Sequence, residues 1–274
     1  MPPHPRLGVI VPLKANAAET FQRVEELELK TCQVNCWQRD LFTPALAKSL
    51  KKEAKSRGIT VSALWCGYPG ACVWNFLQGP ATIGLVPRGV RASRQEALLR
   101  GVEFAAQAGI ADLATHVGFL PEDPADPLYG ETIDCLKPII AACRKHDVHF
   151  LFETGQETPV TILRAIEDLG YSHMGVNLDP ANLILYGKAN PVDALEVFGK
   201  YVRGMHAKDG LYPTNGRELG HETAIGAGKV DFKALFKRLT DFGFKGAVTI
   251  EREISGPQQT IDIKKSFAYL AQWL

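Results

Sequence analysis

The sequence predicts a closed (β/α)8 barrel of the TIM type, and three observations support this fold class. Short β-branched runs alternate with amphipathic helical segments along all 274 residues, which is typical of a parallel sheet covered by helices. No segment resembles a linker between domains. The first apolar run lacks the glycine-rich turn of a dinucleotide-binding sheet. We therefore expect one barrel domain over residues 1–274 rather than an open, doubly wound sheet.

Eight apolar or β-branched runs have the length of strands, and each is followed by a segment with helical spacing. The predicted strands are residues 7–13, 31–37, 59–66, 111–117, 149–154, 174–178, 201–205 and 247–251. The predicted helices are residues 18–29, 43–57, 93–109, 129–147, 158–170, 190–198, 231–243 and 257–274. The polar residues 210–228 are expected to be irregular.

Several predicted helices carry capping residues at their ends. Thr43 and Asn190 each precede a proline, so both combine an N-cap side chain with a proline in the first helical turn. Ser93 and Glu96 have the spacing of a capping box, and Gly109 ends the same predicted helix. These signals indicate where the predicted helices between the strands begin and end.

A long loop over residues 67–91 follows the third predicted strand and is rich in glycine, proline and aromatic residues. Loops of this length inside a compact domain are usually functional. Trp65, Tyr68, Trp74 and Phe76 are therefore candidates for an apolar wall or lid of a substrate pocket. A packed cover over one end of the barrel explains the same residues equally well.

The last four predicted strands end at or next to a possible metal ligand: Glu153, Asp179, His206 and Glu251. Parallel strands joined by helices have their carboxyl ends at one edge of the sheet, which is where barrel enzymes place catalytic groups. Three carboxylates and an imidazole at one edge repel each other unless a cation lies among them. The oxygen-rich set suits Mn²⁺ best, with Mg²⁺, Co²⁺ or Zn²⁺ as alternatives. Each residue alone has an ordinary structural explanation, and the coincidence of four favours a metal.

Four segments, FLFETG, VNLDPANL, HAKDG and VTIERE, resemble strand ends of the xylose-isomerase-like TIM barrel superfamily. The resemblance is to its sugar phosphate isomerase/epimerase group, which includes ketose 3-epimerases and inosose dehydratases. It implies that the four strand-end residues bind the metal. It also implies that Glu153 and Glu251 are the catalytic acid and base on opposite sides of a keto sugar. Asn182 departs from the pattern, because several relatives have histidine there.

Five residues are candidates for substrate binding. Glu157 lies near the position of an accessory glutamate in the epimerases, although its spacing from Glu153 differs. His116 and Lys208 lie close to predicted strand ends, and Trp65 ends the third strand. The remaining candidate, the loop residue Arg217, has solvated surface charge as its alternative explanation. Convergence of two basic groups would favour a phosphorylated or acidic sugar.

These features predict a metal-dependent isomerase or epimerase of a sugar, keto sugar or sugar phosphate, which transfers a proton through a metal-stabilised enediolate. A dehydratase or lyase acting on a keto polyol or keto glycoside shares the first step and remains an alternative. An apurinic endonuclease is less favoured, because such enzymes use a richer set of histidines for a multi-zinc site, whereas this chain has only 7 histidines and none in its third predicted strand. A non-catalytic sugar-binding protein leaves four converging ligands unexplained.

Composition narrows the possible partners and the cellular location. The chain has 31 basic and 30 acidic residues, a net charge of +1, so no general field attracts nucleic acid. No apolar run is long enough to span a membrane or to serve as a signal sequence. The six cysteines form no CxxC pair and are expected to be reduced and buried. We expect a cytoplasmic enzyme with a carbohydrate substrate and with neither nucleic acid nor membrane as a partner, and these features are compatible with a homo-oligomer.

Overall fold

The computed structural model describes residues 3–274. The strands are β1 (Leu7–Pro12), β2 (Thr31–Cys36), β3 (Thr60–Cys66), β4 (Asp112–Thr115), β5 (His149–Glu153), β6 (Met174–Leu178), β7 (Val202–Ala207), β8 (Asp209–Leu211), β9 (His221–Thr223) and β10 (Val248–Ile250). Eight of them close into a barrel in the order β1-β10-β7-β6-β5-β4-β3-β2, and all barrel pairs are parallel. The predicted (β/α)8 TIM barrel is confirmed.

The helices lie in the connections between barrel strands and after the last strand. They are α1 (Ala17–Thr20), α2 (Gln22–Glu26), α3 (Pro44–Arg57), α4 (Gly79–Thr82), α5 (Arg88–Ala108), α6 (Pro127–His146), α7 (Pro159–Asp168), α8 (Pro180–Leu185), α9 (Pro191–Phe198), α10 (Phe232–Asp241) and α11 (Pro257–Ala271). The apolar side chains between this helical layer and the strands form the core. Across residues 3–274, no helix is both long and apolar enough to cross a membrane.

The predicted caps of two helices are present. The Thr43 hydroxyl accepts a hydrogen bond from the backbone N–H of Leu46 at the start of α3. The Asn190 side chain accepts hydrogen bonds from two backbone N–H groups in the first turn of α9. Gly109 ends α5 in the left-handed conformation, with φ of 73°, where a residue without Cβ is least strained.

The predicted capping box at Ser93 was wrong, because α5 begins at Arg88. Pro87 precedes it in an extended conformation, with φ of −66° and ψ of 118°. Arg91 in the first turn donates hydrogen bonds to the carbonyl oxygens of Leu85 and Val86. These bonds hold the first turn of α5 against the preceding loop. Because the helix begins five residues before Ser93, this serine lies inside it. Its hydroxyl donates to a helix carbonyl rather than capping the end.

Two further segments differ from the sequence prediction. The helix predicted over residues 18–29 is divided into α1 and α2, with Phe21 between them as a buried C-cap. The segment predicted to be irregular contains an antiparallel hairpin, β8 paired with β9. Asp209 stabilises this region, because its carboxylate accepts hydrogen bonds from four backbone N–H groups, those of Gly210, Gly226, Gly228 and Val230. A Cβ at Gly228 would collide with that carboxylate.

Candidate functional site

Four strand ends bring their side chains to one point at the carboxyl end of the barrel. Glu153 is the last residue of β5, Asp179 follows β6, His206 lies in β7 and Glu251 follows β10. One ligand atom of each lies within 4.8 Å of the others. The Nδ1 atom of His206 is 3.2 Å from Glu153 Oε1, 3.3 Å from Glu251 Oε2 and 3.8 Å from Asp179 Oδ2.

Local structure fixes the position of Asp179. Its Oδ1 accepts a hydrogen bond of 2.9 Å from the backbone N–H of Asn182 and so caps α8. The hydroxyl of Thr154, just after β5, bonds both the N–H and the carbonyl oxygen of Asp179 at 2.8 Å. The ends of β5 and β6 are thereby joined. The second oxygen, Oδ2, is left facing the cluster without a hydrogen-bond partner in residues 3–274.

Gln33 determines which nitrogen of His206 faces the carboxylates. Its amide oxygen lies 2.7 Å from His206 Nε2, and an amide oxygen only accepts hydrogen bonds. Nε2 therefore carries a proton, and Nδ1 points into the cluster with no aligned hydrogen bond to any described residue. Both Gln33 and His206 are buried. Sequence analysis missed Gln33, although a glutamine within the apolar strand β2 was a visible signal.

The two glutamates of the cluster remain ionised despite their burial. Burial raises the pKa of Asp179 above its ordinary value. Burial acts in the same direction on Glu153, but the charges of neighbouring histidines outweigh it and lower its pKa. For Glu251, Lys208 and His206 outweigh burial and hold the pKa well below its ordinary value. Glu153 and Glu251 are therefore carboxylate bases at neutral pH.

Lys208 lies inside the cluster. Burial alone would lower its pKa, but the facing carboxylates raise it well above its ordinary value. Its Nζ is 2.9 Å from Glu253 Oε1, 3.3 Å from Glu251 Oε2 and 3.2 Å from Asn182 Oδ1. Because these groups already surround its ammonium, Lys208 fixes the orientation of Glu251. Sequence analysis did not single out Glu253.

The cluster fits a divalent cation. Its donors are three carboxylates and one imidazole nitrogen, a set that hard and borderline divalent metals accept. Two of these buried donor atoms, Asp179 Oδ2 and His206 Nδ1, have no hydrogen-bond partner among the residues described. Buried polar atoms are rarely left unpaired, and a divalent ion held by the cluster would account for both.

A cavity of about 340 Å³ opens next to Glu153 and Glu251. Three tryptophans, Trp37, Trp65 and Trp74, form its aromatic wall. The ring centroids of Trp37 and Trp65 are 5.0 Å apart. The indole N–H of Trp65 also donates a hydrogen bond to Glu153 Oε2, so one wall residue orients a carboxylate of the cluster.

The five candidate substrate-binding residues are placed differently. Trp65 and His116 line the cavity, and Lys208 lies within the carboxylate cluster beside it. Glu157 is buried, with only 1% of its surface exposed, and does not line the cavity. Burial raises the pKa of Glu157 to about 8. Arg217 is exposed in the loop between β8 and β9, outside the cavity lining.

In the loop over residues 67–91, some aromatic side chains line the cavity and others pack into the core. Trp74 lines the cavity, and its ring centroid lies 5.1 Å from that of His116. Phe76 packs edge-on against Tyr186, another lining residue, at 6.1 Å. Tyr68 is buried in the core, and its hydroxyl accepts a hydrogen bond from the backbone N–H of Gly84. Both explanations of the loop aromatics therefore apply, each to different residues.

Uncharged amides complete the lining, and sequence analysis did not single them out. Asn35 and Gln156 both line the cavity. The side-chain oxygen of Asn35 and both amide atoms of Gln156 are buried without a hydrogen-bond partner in residues 3–274. Asn35 lies two residues after Gln33 in β2. Because alternate residues of a strand share a face, the sequence could have indicated that Asn35 also points into the barrel. Gln156 follows β5 in an irregular segment that has no such periodicity.

Comparison with known proteins identifies the family. The profile of the family described as xylose isomerase-like TIM barrel matches residues 21–273. The chain belongs to that family. This xylose isomerase-like barrel is similar to a xylose isomerase domain protein from Planctomyces limnophilus, with 32% sequence identity and a TM-score of 0.92. The match covers 99% of this chain and 98% of that chain.

More distant barrels share the fold. A D-psicose 3-epimerase from Clostridium cellulolyticum H10, solved with D-tagatose, has 12% identity and a TM-score of 0.70, covering 98% of this chain and 99% of its own. The probable 3-DHS dehydratase AsbF from Bacillus anthracis has 12% identity and a TM-score of 0.68, covering 96% of this chain and 98% of its own. No curated protein matches the xylose isomerase-like sequence significantly.

Proposed function

We propose that the protein is a divalent-metal-dependent isomerase or epimerase of an unphosphorylated keto sugar. The observation that carries this proposal is the pair Glu153 and Glu251, which line the cavity and belong to the four-residue cluster. Glu153, Asp179, His206 and Glu251 would hold the metal, with Mn²⁺ as the preferred ion. A divalent cation there supplies positive charge that acidifies a C–H bond beside a carbonyl group.

The two glutamates are the proposed proton-transferring pair. Glu153 ends β5 and Glu251 follows β10, and these strands lie three apart around the barrel. Their carboxylates therefore approach the cavity from different sides. Trp65 orients Glu153, and Lys208 orients Glu251. One carboxylate removes the proton beside the carbonyl, and the other returns a proton to the opposite face of that carbon, which is the requirement for inversion.

The cavity lining favours a neutral substrate. No lysine or arginine is among its lining residues, whereas phosphate is usually bound by such groups. Lys208 is the cation beside the cluster, and its ammonium is occupied by Glu251 and Glu253. Tryptophan faces pack against the apolar side of a sugar, and the free amides of Asn35 and Gln156 suit hydroxyl groups. The similarity to a D-psicose 3-epimerase solved with D-tagatose agrees with a free ketose.

Solvent deuterium exchange tests this function. We expect the Mn²⁺-loaded protein in heavy water to place deuterium beside the carbonyl of a free ketose such as D-tagatose or D-fructose. The product should be an isomer of unchanged composition, and the 6-phosphates of these ketoses should react far more slowly. Glu153→Gln and Glu251→Gln should each reduce turnover by at least ~10²-fold, the scale of a lost general acid or base.

Three other outcomes of this experiment would contradict the proposed function. Loss of water or of a glycosyl group from the substrate would replace isomerisation with the dehydratase or lyase reaction. Turnover without incorporation of deuterium would contradict proton exchange through the two glutamates. Faster turnover of the phosphates would contradict the neutral substrate. Exposed Glu103, on α5 and remote from the cavity lining, provides the matched control, because Glu103→Gln should leave turnover unchanged.

A further inference from the structure

A second cavity, of about 340 Å³, lies at the opposite end of the barrel. Its lining includes residues from strand beginnings, such as Thr31 of β2 and Thr60 of β3. TIM barrels usually fill their interior with layers of bulky branched side chains. Here Ala63, Gly204 and Thr249 line the space instead, and their small side chains leave it open.

The charged side chains around this second cavity are mostly cationic. Arg6, Arg203 and Lys245 line it together with a single carboxylate, Asp112. Arg203 donates from Nε to Asp112 Oδ1 at 2.8 Å, which leaves its two terminal nitrogens for a ligand. Arg6 and Lys245 form no ion pair with any carboxylate in residues 3–274. The lining therefore has two cations that no carboxylate neutralises.

Backbone packing brings the segment that carries Lys245 close to β7. A Cβ at Gly246 would overlap the carbonyl oxygen of Arg203, so only glycine allows the segment before β10 to approach β7 this closely. Lys245 is adjacent to this glycine, and it lines the same cavity as Arg6 and Arg203. Clustered cations repel each other, and a bound anion relieves that repulsion.

Inside the rim, the second cavity is polar. Asn177 lines it and is only 1% exposed, and its amide nitrogen has no hydrogen-bond partner within residues 3–274. An unpaired buried donor destabilises the fold unless something accepts its hydrogen bond. Cationic groups at the rim and an unpaired donor within both match an oxygen-rich anion.

We propose that the amino-terminal end of the barrel binds a small tetrahedral or carboxylate dianion, with sulfate and inorganic phosphate as its simplest examples. Arg6, Arg203 and Lys245 provide the charge, and Asn177 provides a buried donor. This site is separate from the carboxylate cluster and does not rest on the proposed function. Only the side chain of Gln33 separates the proposed anion site from the carboxylate cluster. Gln33 lines the second cavity and also accepts the hydrogen bond from His206.

Sulfate binding to the full chain, as purified and without added metal, tests the proposal, with sodium chloride at equal ionic strength as the reference. Titration calorimetry and the melting temperature should both report saturable binding by the wild type. The double variant Arg6→Gln/Lys245→Gln should bind sulfate at least tenfold more weakly. Lys48→Gln/Lys52→Gln on α3, where both lysines are exposed, removes the same charge elsewhere and should bind like the wild type.

A second variant keeps the test decisive if the double variant folds poorly. Thr60 is exposed at the rim, so Thr60→Asp adds a repelling charge without removing a buried contact, and it should also weaken binding at least tenfold. Equal sulfate binding by all variants would overturn the proposal, as would no saturable binding by the wild type. Either result would mean that this cavity is not an anion-binding site.

Discussion

A single amide oxygen fixes the orientation of His206. Because Gln33 accepts the hydrogen bond from Nε2 at 2.7 Å, Nδ1 is the nitrogen that faces the three carboxylates. Side chains behind metal ligands generally set the tautomer and orientation of a histidine in this way. Gln33 thus acts as a positioning residue without touching the cavity that holds the proposed substrate.

Replacing Gln33 should weaken metal binding without unfolding the barrel. In Gln33→Met the acceptor is lost at similar size, so the imidazole is free to change tautomer and tilt. We expect the dissociation constant for Mn²⁺ to rise ~10–100-fold, the usual effect of losing such a partner. Gln33→Glu keeps an acceptor oxygen and should retain more affinity than Gln33→Met. Unchanged Mn²⁺ affinity in Gln33→Met would show that Gln33 does not position His206 for metal binding.

Glu157 should make folding stability depend on pH. Burial raises its pKa to about 8 from an ordinary value of 4.5, so the folded chain holds a proton that the unfolded chain releases between these values. Stability therefore falls as pH rises through this window, by up to ~1.4 kcal/mol per pH unit for one group. Glu157→Gln cannot titrate and should lose this slope.

Urea unfolding at several pH values between 5 and 8 measures the contribution of Glu157. The difference in unfolding free energy between Glu157→Gln and the wild type should grow with pH. Glu103→Gln, at an exposed position of α5, is the control and should keep the slope of the wild type. Parallel pH profiles for Glu157→Gln and the wild type would contradict a buried protonated carboxyl group.

At the scale of elements, one carboxylate organises the loop after β7. Asp209 accepts hydrogen bonds of 2.8 to 3.0 Å from four backbone N–H groups. It joins the start of the β8–β9 hairpin to the turn that precedes α10. Sequence analysis treated this segment as irregular, because bonds from one side chain to a distant backbone leave no periodic pattern.

Asp209→Asn should destabilise this region. The amide replaces one accepting oxygen with an NH₂ group, so two backbone N–H groups lose their acceptor. We expect a loss of about 3 to 6 kcal/mol in unfolding free energy, from two hydrogen bonds to a charged group at about 1.5 to 3 kcal/mol each, and faster hydrogen exchange at Gly226 and Gly228. Asp231→Asn is the matched control, because Asp231 caps α10 and asparagine caps equally well. Equal effects of both changes would contradict this role.

For the whole molecule, the closed strand order explains what the sequence could predict. The alternation of strands and helices is local, and parallel connections place all strand ends at one edge. The sequence therefore predicted that four strand-end side chains lie at one end of the barrel: Glu153, Asp179, His206 and Glu251. In the structure their ligand atoms lie within 4.8 Å of one another. Contacts across the barrel interior, such as the bond from β7 to Gln33 in β2, depend on strand order and tilt, and no local pattern contains them.

The loops at the barrel mouth were less predictable for a related reason. Which loop side chain faces the cavity depends on packing between loops. Trp74 lines the cavity, Tyr68 is in the core and Arg217 is in solvent, although all three follow strand ends in sequence. The start of α5 was likewise set by the contacts of Arg91 with the preceding loop rather than by the Ser93 pattern.

The metal content of the purified protein tests the central claim most directly. Asp179→Asn keeps the cap of α8, since asparagine also accepts a hydrogen bond from the first turn, but it removes one charged donor from the cluster. We predict one divalent ion per wild-type chain by elemental analysis after loading with Mn²⁺ and gel filtration. Asp179→Asn should retain little metal while melting as a folded barrel. Stoichiometric metal in Asp179→Asn, or none in the wild type, would contradict the metal centre.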